Sequence, residues 1–212
     1  MIRLLFLIFF LQVSFYSFAQ ISSDPLAKKM LDKVSEATDK LDAIEIIFEY
    51  SLISTEENIR DSSIGELILK KDQYILSFMD IKQISDGENV WTILEDDEEI
   101  QISEIDLEDE DALTPSNFLK MYESGFIYQM GEKVGSLQII ELLPDSPDEV
   151  DYIKINLLID TQLMQIKNLK QFGKNATESE YIISKFVPSL VDDSAFIFKE
   201  TDYLEYEIID LR

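Results

Sequence analysis

The sequence contains no cysteine and no histidine. Without thiols there is no disulfide, no thiolate metal site and no cysteine nucleophile, and without imidazole every histidine-based acid–base scheme is excluded. Positive charge is scarce as well: 18 Lys and Arg stand against 43 Asp and Glu, a formal net charge of -25. A surface of that sign repels nucleic acid and anionic lipid headgroups, so neither is expected as an electrostatic partner. No internal repeat, low-complexity tract or interdomain linker breaks the 212 residues, of which 46% are hydrophobic, enough for one sizeable core. The acidic runs Glu95 to Glu99 and Asp106 to Asp111 are dense in oxygen ligands. Neither has the spaced acidic pattern of an EF-hand loop, so both read as solvated loops and no metal site is expected.

What is present begins with a targeting pattern. Met1-Ile2-Arg3 places one positive charge before Leu4 to Val13, apolar apart from Gln12, and Ser17-Phe18-Ala19 supplies small residues where a signal peptidase cuts. The run is short for a hydrocarbon core of roughly 30 Å. Residues 1–19 therefore read as a secretory signal peptide cleaved after Ala19, leaving 20–212 as one exported domain.

Asp24-Pro25 then starts a helix, with Asp as N-cap and Pro at the first helical position. Leu26, Met30, Val34, Ala37 and Leu41 recur at helical spacing, which predicts an amphipathic helix packed on a sheet. From Ala43 the period becomes two: Ile44, Ile46, Phe48, Tyr50 and Leu52 share one face of a strand. Ser54 to Ser63 reads as a polar connection. Strands are predicted over 64–70, 73–84, 89–94 and 99–105, with Asp86-Gly87 as a tight hairpin turn. Tyr74, Leu76 and Phe78 alternate before that turn, and Trp91 and Ile93 after it. Thr114-Pro115 opens a second, shorter helix stopped by Gly125. Further strands follow over 126–131, 134–143, 151–159, 162–172, 179–187 and 206–211. Connections this short favour an antiparallel meander. The expected fold is mainly β (α+β): an unclosed antiparallel barrel of about eleven strands with helices over the open face.

Several phrases carry a family resemblance. They are Gly65-Glu66-Leu67-Ile68-Leu69-Lys70-Lys71, Ile84-Ser85-Asp86-Gly87-Glu88-Asn89-Val90-Trp91, and Leu113-Thr114-Pro115 before a helix. Val191-Asp192-Asp193-Ser194-Ala195-Phe196-Ile197-Phe198 and the closing Glu207-Ile208-Ile209-Asp210-Leu211-Arg212 complete the set. In this order and spacing the chain resembles the LolA-type outer-membrane lipoprotein carriers of the bacterial periplasm. The resemblance implies a monomeric carrier without cofactor or covalent chemistry. Its apolar cavity would hold the acyl chains of lipoproteins taken from an inner-membrane ABC transporter and delivered to an outer-membrane acceptor. The cavity candidates are Phe48, Tyr50, Leu67, Leu69, Phe78, Trp91, Ile93, Phe118, Met121, Met130, Ile155, Leu157, Ile166, Ile183 and Phe198. In many family members the position matching Lys71 is an arginine followed by proline, and that arginine fastens the helical lid. Here the pair is Lys71-Asp72, and a lysine without a planar fork holds a lid less specifically.

Two other functions are consistent with the residues. One is a LolA-like periplasmic protein that binds a different lipid or senses the state of the envelope. The other is a carboxylate-based hydrolase, which needs two acidic groups at fixed separation and a strongly shifted pKa; the acidic runs offer neither. The absence of any cysteine argues against the lipid-anchored acceptor role.

Overall fold

Helix α1 (Pro25–Thr38) begins where Asp24 Oδ1 accepts the Leu26 N–H at 2.7 Å. The computed structural model describes residues 22–212 apart from 55, 57 and 106–119. The expected signal peptide, the run Asp106 to Asp111 and most of the expected second helix lie outside the described residues. Of that helix, Met121–Glu123 forms a short 3₁₀ turn, and Gly125 adopts the left-handed φ of +78° expected of a stop. Among the described residues no helix is long and apolar enough to cross a membrane.

The helix keeps Met30 and Val34 of the predicted stripe on its inward face and replaces Leu26 with Ala27 and Leu31. Ala27, Leu31 and Val34 are buried and Met30 packs beside them, whereas Leu26 is 67% exposed. The residues just before it are anchored. The Asp24 N–H donates to Tyr128 O at 2.8 Å, and Ser23 Oγ accepts from the Tyr128 N–H at 3.2 Å. The start of the helix is tied in this way to the edge strand that contains Tyr128.

The strands are β1 (Ile44–Ser54), β2 (Ile59–Lys70), β3 (Gln73–Phe78), β4 (Ile81–Ser85), β5 (Asn89–Leu94) and β6 (Glu99–Glu104). They continue with β7 (Phe126–Val134), β8 (Leu137–Pro144), β9 (Tyr152–Asp160), β10 (Gln165–Gly173), β11 (Thr177–Pro188) and β12 (Glu207–Asp210). All twelve form one sheet in the order β12-β6-β5-β4-β3-β2-β1-β11-β10-β9-β8-β7. Its two edges, β12 and β7, do not pair, so the sheet is unclosed. Three details differ from expectation. The strand predicted over 73–84 is two strands, split by Met79 and Asp80 at φ 52° and 62°. β2 starts five residues before the predicted 64, inside the supposed polar connection. And β12 runs parallel to β6 rather than continuing the antiparallel meander.

Register fixes two faces. The inner face is the one on which α1 lies: Ala27, Leu31 and Val34 pack on Ile140, Leu142, Ile155, Leu157 and Ile159. Complete burial of a Leu or Ile side chain there contributes roughly 1.5–3 kcal/mol. The same face continues through Ile44, Ile46, Leu67, Leu69, Tyr74 and Val90 on the other half of the sheet. On β4–β6 the polarity inverts. Their apolar residues Ile84, Ile93 and Ile100 point to the outer face. Residues 189–206 cover them as a strap: Phe198 stacks on Trp91 at 5.4 Å and on Tyr203 at 5.5 Å, and Tyr206 meets Tyr203 edge-on. Lys70 secures the strap through Asp193 at 2.5 Å, with Asp42 at 3.7 Å on its other side. At its end Arg212 grips Asp210 and donates to Asn89 Oδ1 at 3.0 Å.

Candidate ligand-binding face

Strand alternation delivers Phe48 and Tyr50 of β1 to the inner face, Phe78 of β3 beside them and Tyr181 of β11 opposite. The four rings touch in a closed circuit: Phe48–Phe78 at 5.4 Å, Phe78–Tyr50 at 5.6 Å, Tyr50–Tyr181 at 4.9 Å and Tyr181–Phe48 at 5.9 Å. All four are only half-buried, unlike the aliphatic residues under α1. Gly65 makes the arrangement possible by close approach, since a Cβ there would lie 2.1 Å from Phe48 Cζ. The Phe48 ring therefore lies flat against the β2 backbone. Burial, with a smaller contribution from Tyr50, holds the Tyr181 phenol above its ordinary pKa. Such a surface offers wide apolar contact and no acid or base, which suits adhesion of hydrocarbon rather than bond-breaking.

The sequence candidates fall into three groups. Phe48, Tyr50, Leu67, Leu69, Phe78 and Ile183 come together on this face. Met130, Ile155, Leu157 and Ile166 share the same face but belong to the core capped by α1. Trp91, Ile93 and Phe198 are not brought to it; they sit on the outer face, where the strap covers them. Phe118 and the Met121 side chain lie outside what is described. Tyr181, Leu76 and Phe186 belong to the face and are not among the candidates. Leu76 was readable from its place between Tyr74 and Phe78. Tyr181 and Phe186 were harder, because a bulge at Ser184 breaks the alternation between them. Tyr181 also packs against the α1-capped core, so the two apolar regions are continuous across β11.

Lys71 is exposed in the turn between β2 and β3 at φ 55°. The lid segment it would fasten falls in 106–119, outside the described residues. Beyond that segment, Lys120 pairs with Asp39 at 3.2 Å and Ser35 Oγ donates to Glu123 Oε1 at 2.6 Å, ties to α1 and the turn after it. Between α1 and Tyr122–Glu123 lies an open cavity of about 330 Å³ whose walls include Lys28, Asp32 and Glu36. Its lining is too charged for hydrocarbon. Among the described residues no group of three or more carboxylates is placed to hold a metal ion.

No protein-family model matches the sequence, and no curated protein matches it. Solved structures match its fold. An uncharacterized conserved protein from Thermus thermophilus superposes with a TM-score of 0.55 at 8% identity, covering 87% of this chain and 99% of its own. A LolA superfamily protein from Nitrosomonas europaea gives 0.45 at 13% identity, over 82% of this chain and 98% of its own. Lipoprotein LppX from Mycobacterium tuberculosis gives 0.48 at 12% identity, over 80% and 99%. At these identities the first likeness is one of fold, and the other two are weaker.

Proposed function

We propose that the protein is a periplasmic carrier that shields the acyl chains of lipoproteins between the inner and outer membranes. The single observation behind this reading is the half-buried ring circuit of Phe48, Tyr50, Phe78 and Tyr181, continuous with the aliphatic residues of β2 and β11. An acyl chain has no hydrogen-bonding group along its length, so recognition depends on area removed from water, ~0.8 kcal/mol per methylene. Rings that are only partly buried in the free protein still have area to bury against such a chain. The sequence resemblance supplies the rest of the reading: cargo arrives from an inner-membrane ABC transporter, leaves at an outer-membrane acceptor, and undergoes no covalent change.

The test mixes purified protein with inner-membrane vesicles that hold a labelled triacylated lipoprotein and looks for a soluble one-to-one complex. Phe78→Glu puts a carboxylate into the circuit and is expected to abolish that complex while the fold persists. Undiminished transfer by a folded Phe78→Glu protein would remove the ring circuit from the function.

A further inference from the structure

The inner face is not apolar throughout. Where β3 gives way to β4, β5 and β6, register brings Gln83, Thr92, Gln101 and Ser103 onto it beside Tyr74. Tyr74, Gln83 and Thr92 form a hydrogen-bonded row, and Gln101 stands opposite Thr92 on β6. Tyr74 Oη donates to Gln83 Oε1 at 3.4 Å, and Gln83 Nε2 donates to Thr92 Oγ1 at 3.2 Å. On the next strand Gln101 Nε2 donates to Glu99 Oε1 at 2.7 Å. Thr92 keeps its hydroxyl proton and Gln101 its carbonyl oxygen for a further partner. All of these polar residues on β4–β6 are only partly buried. The shelf starts at the Phe78 end of the ring circuit, since Leu76, one pleat from Phe78, faces Gln83 across the β3–β4 pair.

Charge on this face is as informative as polarity. Among the described strand residues of β1–β6 and β11, no lysine or arginine points inward. Lys70, Lys82, Lys185 and Arg60 all lie at outward register positions. A phosphate laid on the shelf would meet Glu99 and no cation, whereas hydroxyl and amide groups would meet matching donors and acceptors.

We infer that the shelf of Gln83, Thr92 and Gln101 is a headgroup subsite, and that the ligand is an acylated amphiphile with an uncharged, hydrogen-bonding head rather than a phospholipid. This rests on the acyl-binding reading above and narrows it. Chain and head then bind side by side, the chain on the rings and the head on β4–β6.

The experiment compares three amphiphiles with one shared tail: dodecyl glucoside, dodecyl phosphate and dodecyltrimethylammonium, each titrated calorimetrically below its micelle concentration. Titrations are repeated in ~1 M salt, where a Debye length near 3 Å removes the general repulsion of anions by an acidic protein. The glucoside is expected to bind at least about tenfold tighter than the phosphate at both salt concentrations. Gln83→Leu/Thr92→Val/Gln101→Leu is expected to erase that ratio while tail binding survives. Thr92→Lys, a single exposed-shelf change, is expected to raise phosphate affinity. Equal affinities for glucoside and phosphate in high salt, or a ratio unchanged in the triple variant, would overturn the headgroup subsite and leave the carrier reading standing. Tightest binding of the ammonium would overturn it in favour of attraction to Glu99. No binding of any tail would remove both.

Discussion

Gly65→Ala perturbs the ring circuit through one carbon atom. Gly65 is buried in β2 with no positive φ, so the backbone itself accepts alanine, and the whole effect passes through Phe48. The new Cβ would sit 2.1 Å from Cζ, 2.5 Å from Cε2 and 2.7 Å from Cε1, against 3.4 Å for an ordinary contact. Phe48 cannot simply lift, because Phe78 and Tyr181 hold it at 5.4 and 5.9 Å. Overpacking of this kind costs about 1–3 kcal/mol, and each displaced ring pair adds about 0.5–1.5 kcal/mol. With two ring pairs displaced, and the roughly 0.5–1 kcal/mol by which alanine is favoured over glycine in a strand set against them, an expected loss of ~3 kcal/mol follows. Urea unfolding followed by Trp91 fluorescence measures it, since Trp91 lies on the outer face and is untouched by the substitution. The decisive comparison is the same change in a Phe48→Ala background. With the ring gone, alanine in a strand interior is better than glycine by about 0.5–1 kcal/mol, so the sign should reverse. Equal destabilisation in both backgrounds would refute the claim that Gly65 serves the Phe48 ring.

Two further outcomes follow from other parts of the sheet. Phe198→Ala removes both stacked pairs of the strap, with Trp91 and with Tyr203; a loss of about 2 kcal/mol is expected with a red shift of Trp91 emission. Ile197→Ala, 59% exposed on the same strap, should stay within about 0.5 kcal/mol, and an equal effect of the two would deny the strap its role. Burial pushes the Tyr74 phenol from 10.0 up to about 12, so the folded state favours the protonated form. The stability linked to it is complete below pH 10 and is lost as pH rises through about 12. Tyrosinate absorbance followed against pH should show several late-titrating groups, Tyr122 among them because burial raises it too, and the late amplitude should fall by one tyrosine in Tyr74→Phe; one uniform step near pH 10 in the folded protein would contradict that burial.

Much of the architecture was readable from the chain. Asp24-Pro25 marks the helix start, and Asp86-Gly87 marks a turn in which Gly87 takes φ 98° and Asp86 accepts the Glu88 and Asn89 N–H groups. The alternation of Phe48 with Tyr50 and of Leu67 with Leu69 also gave their shared face correctly. What alternation cannot give is which face is inner. That depends on counting residues through every turn, and the turn at Met79-Asp80 has neither glycine nor asparagine to announce it. With 73–84 read as one strand the count is lost, and Trp91 and Ile93 are assigned to the wrong side. The mixed polarity of β4–β6 compounds the difficulty, because Ile84, Ile93 and Ile100 face outward while Val90 faces inward, and only the strap, remote in sequence, keeps the outward ones from water.

The order of the strands also dictates when the ring circuit can exist. β1 and β11 are neighbours in space, with Ile44 opposite Pro188 and Tyr50 opposite Tyr181, yet nine other strands separate them along the chain. The strands from β1 to β6 are joined by hairpins, as are those from β7 to β11, so each half can assemble from local contacts. The pairing of β1 with β11 is the one seam between the halves, and contacts of such long sequence separation form late in folding. Phe48 and Tyr50 stand on one side of that seam and Tyr181 on the other. Closure of the ring circuit and completion of the sheet are thus one event, and under the proposed function a chain still folding lacks the Tyr181 wall of its binding face.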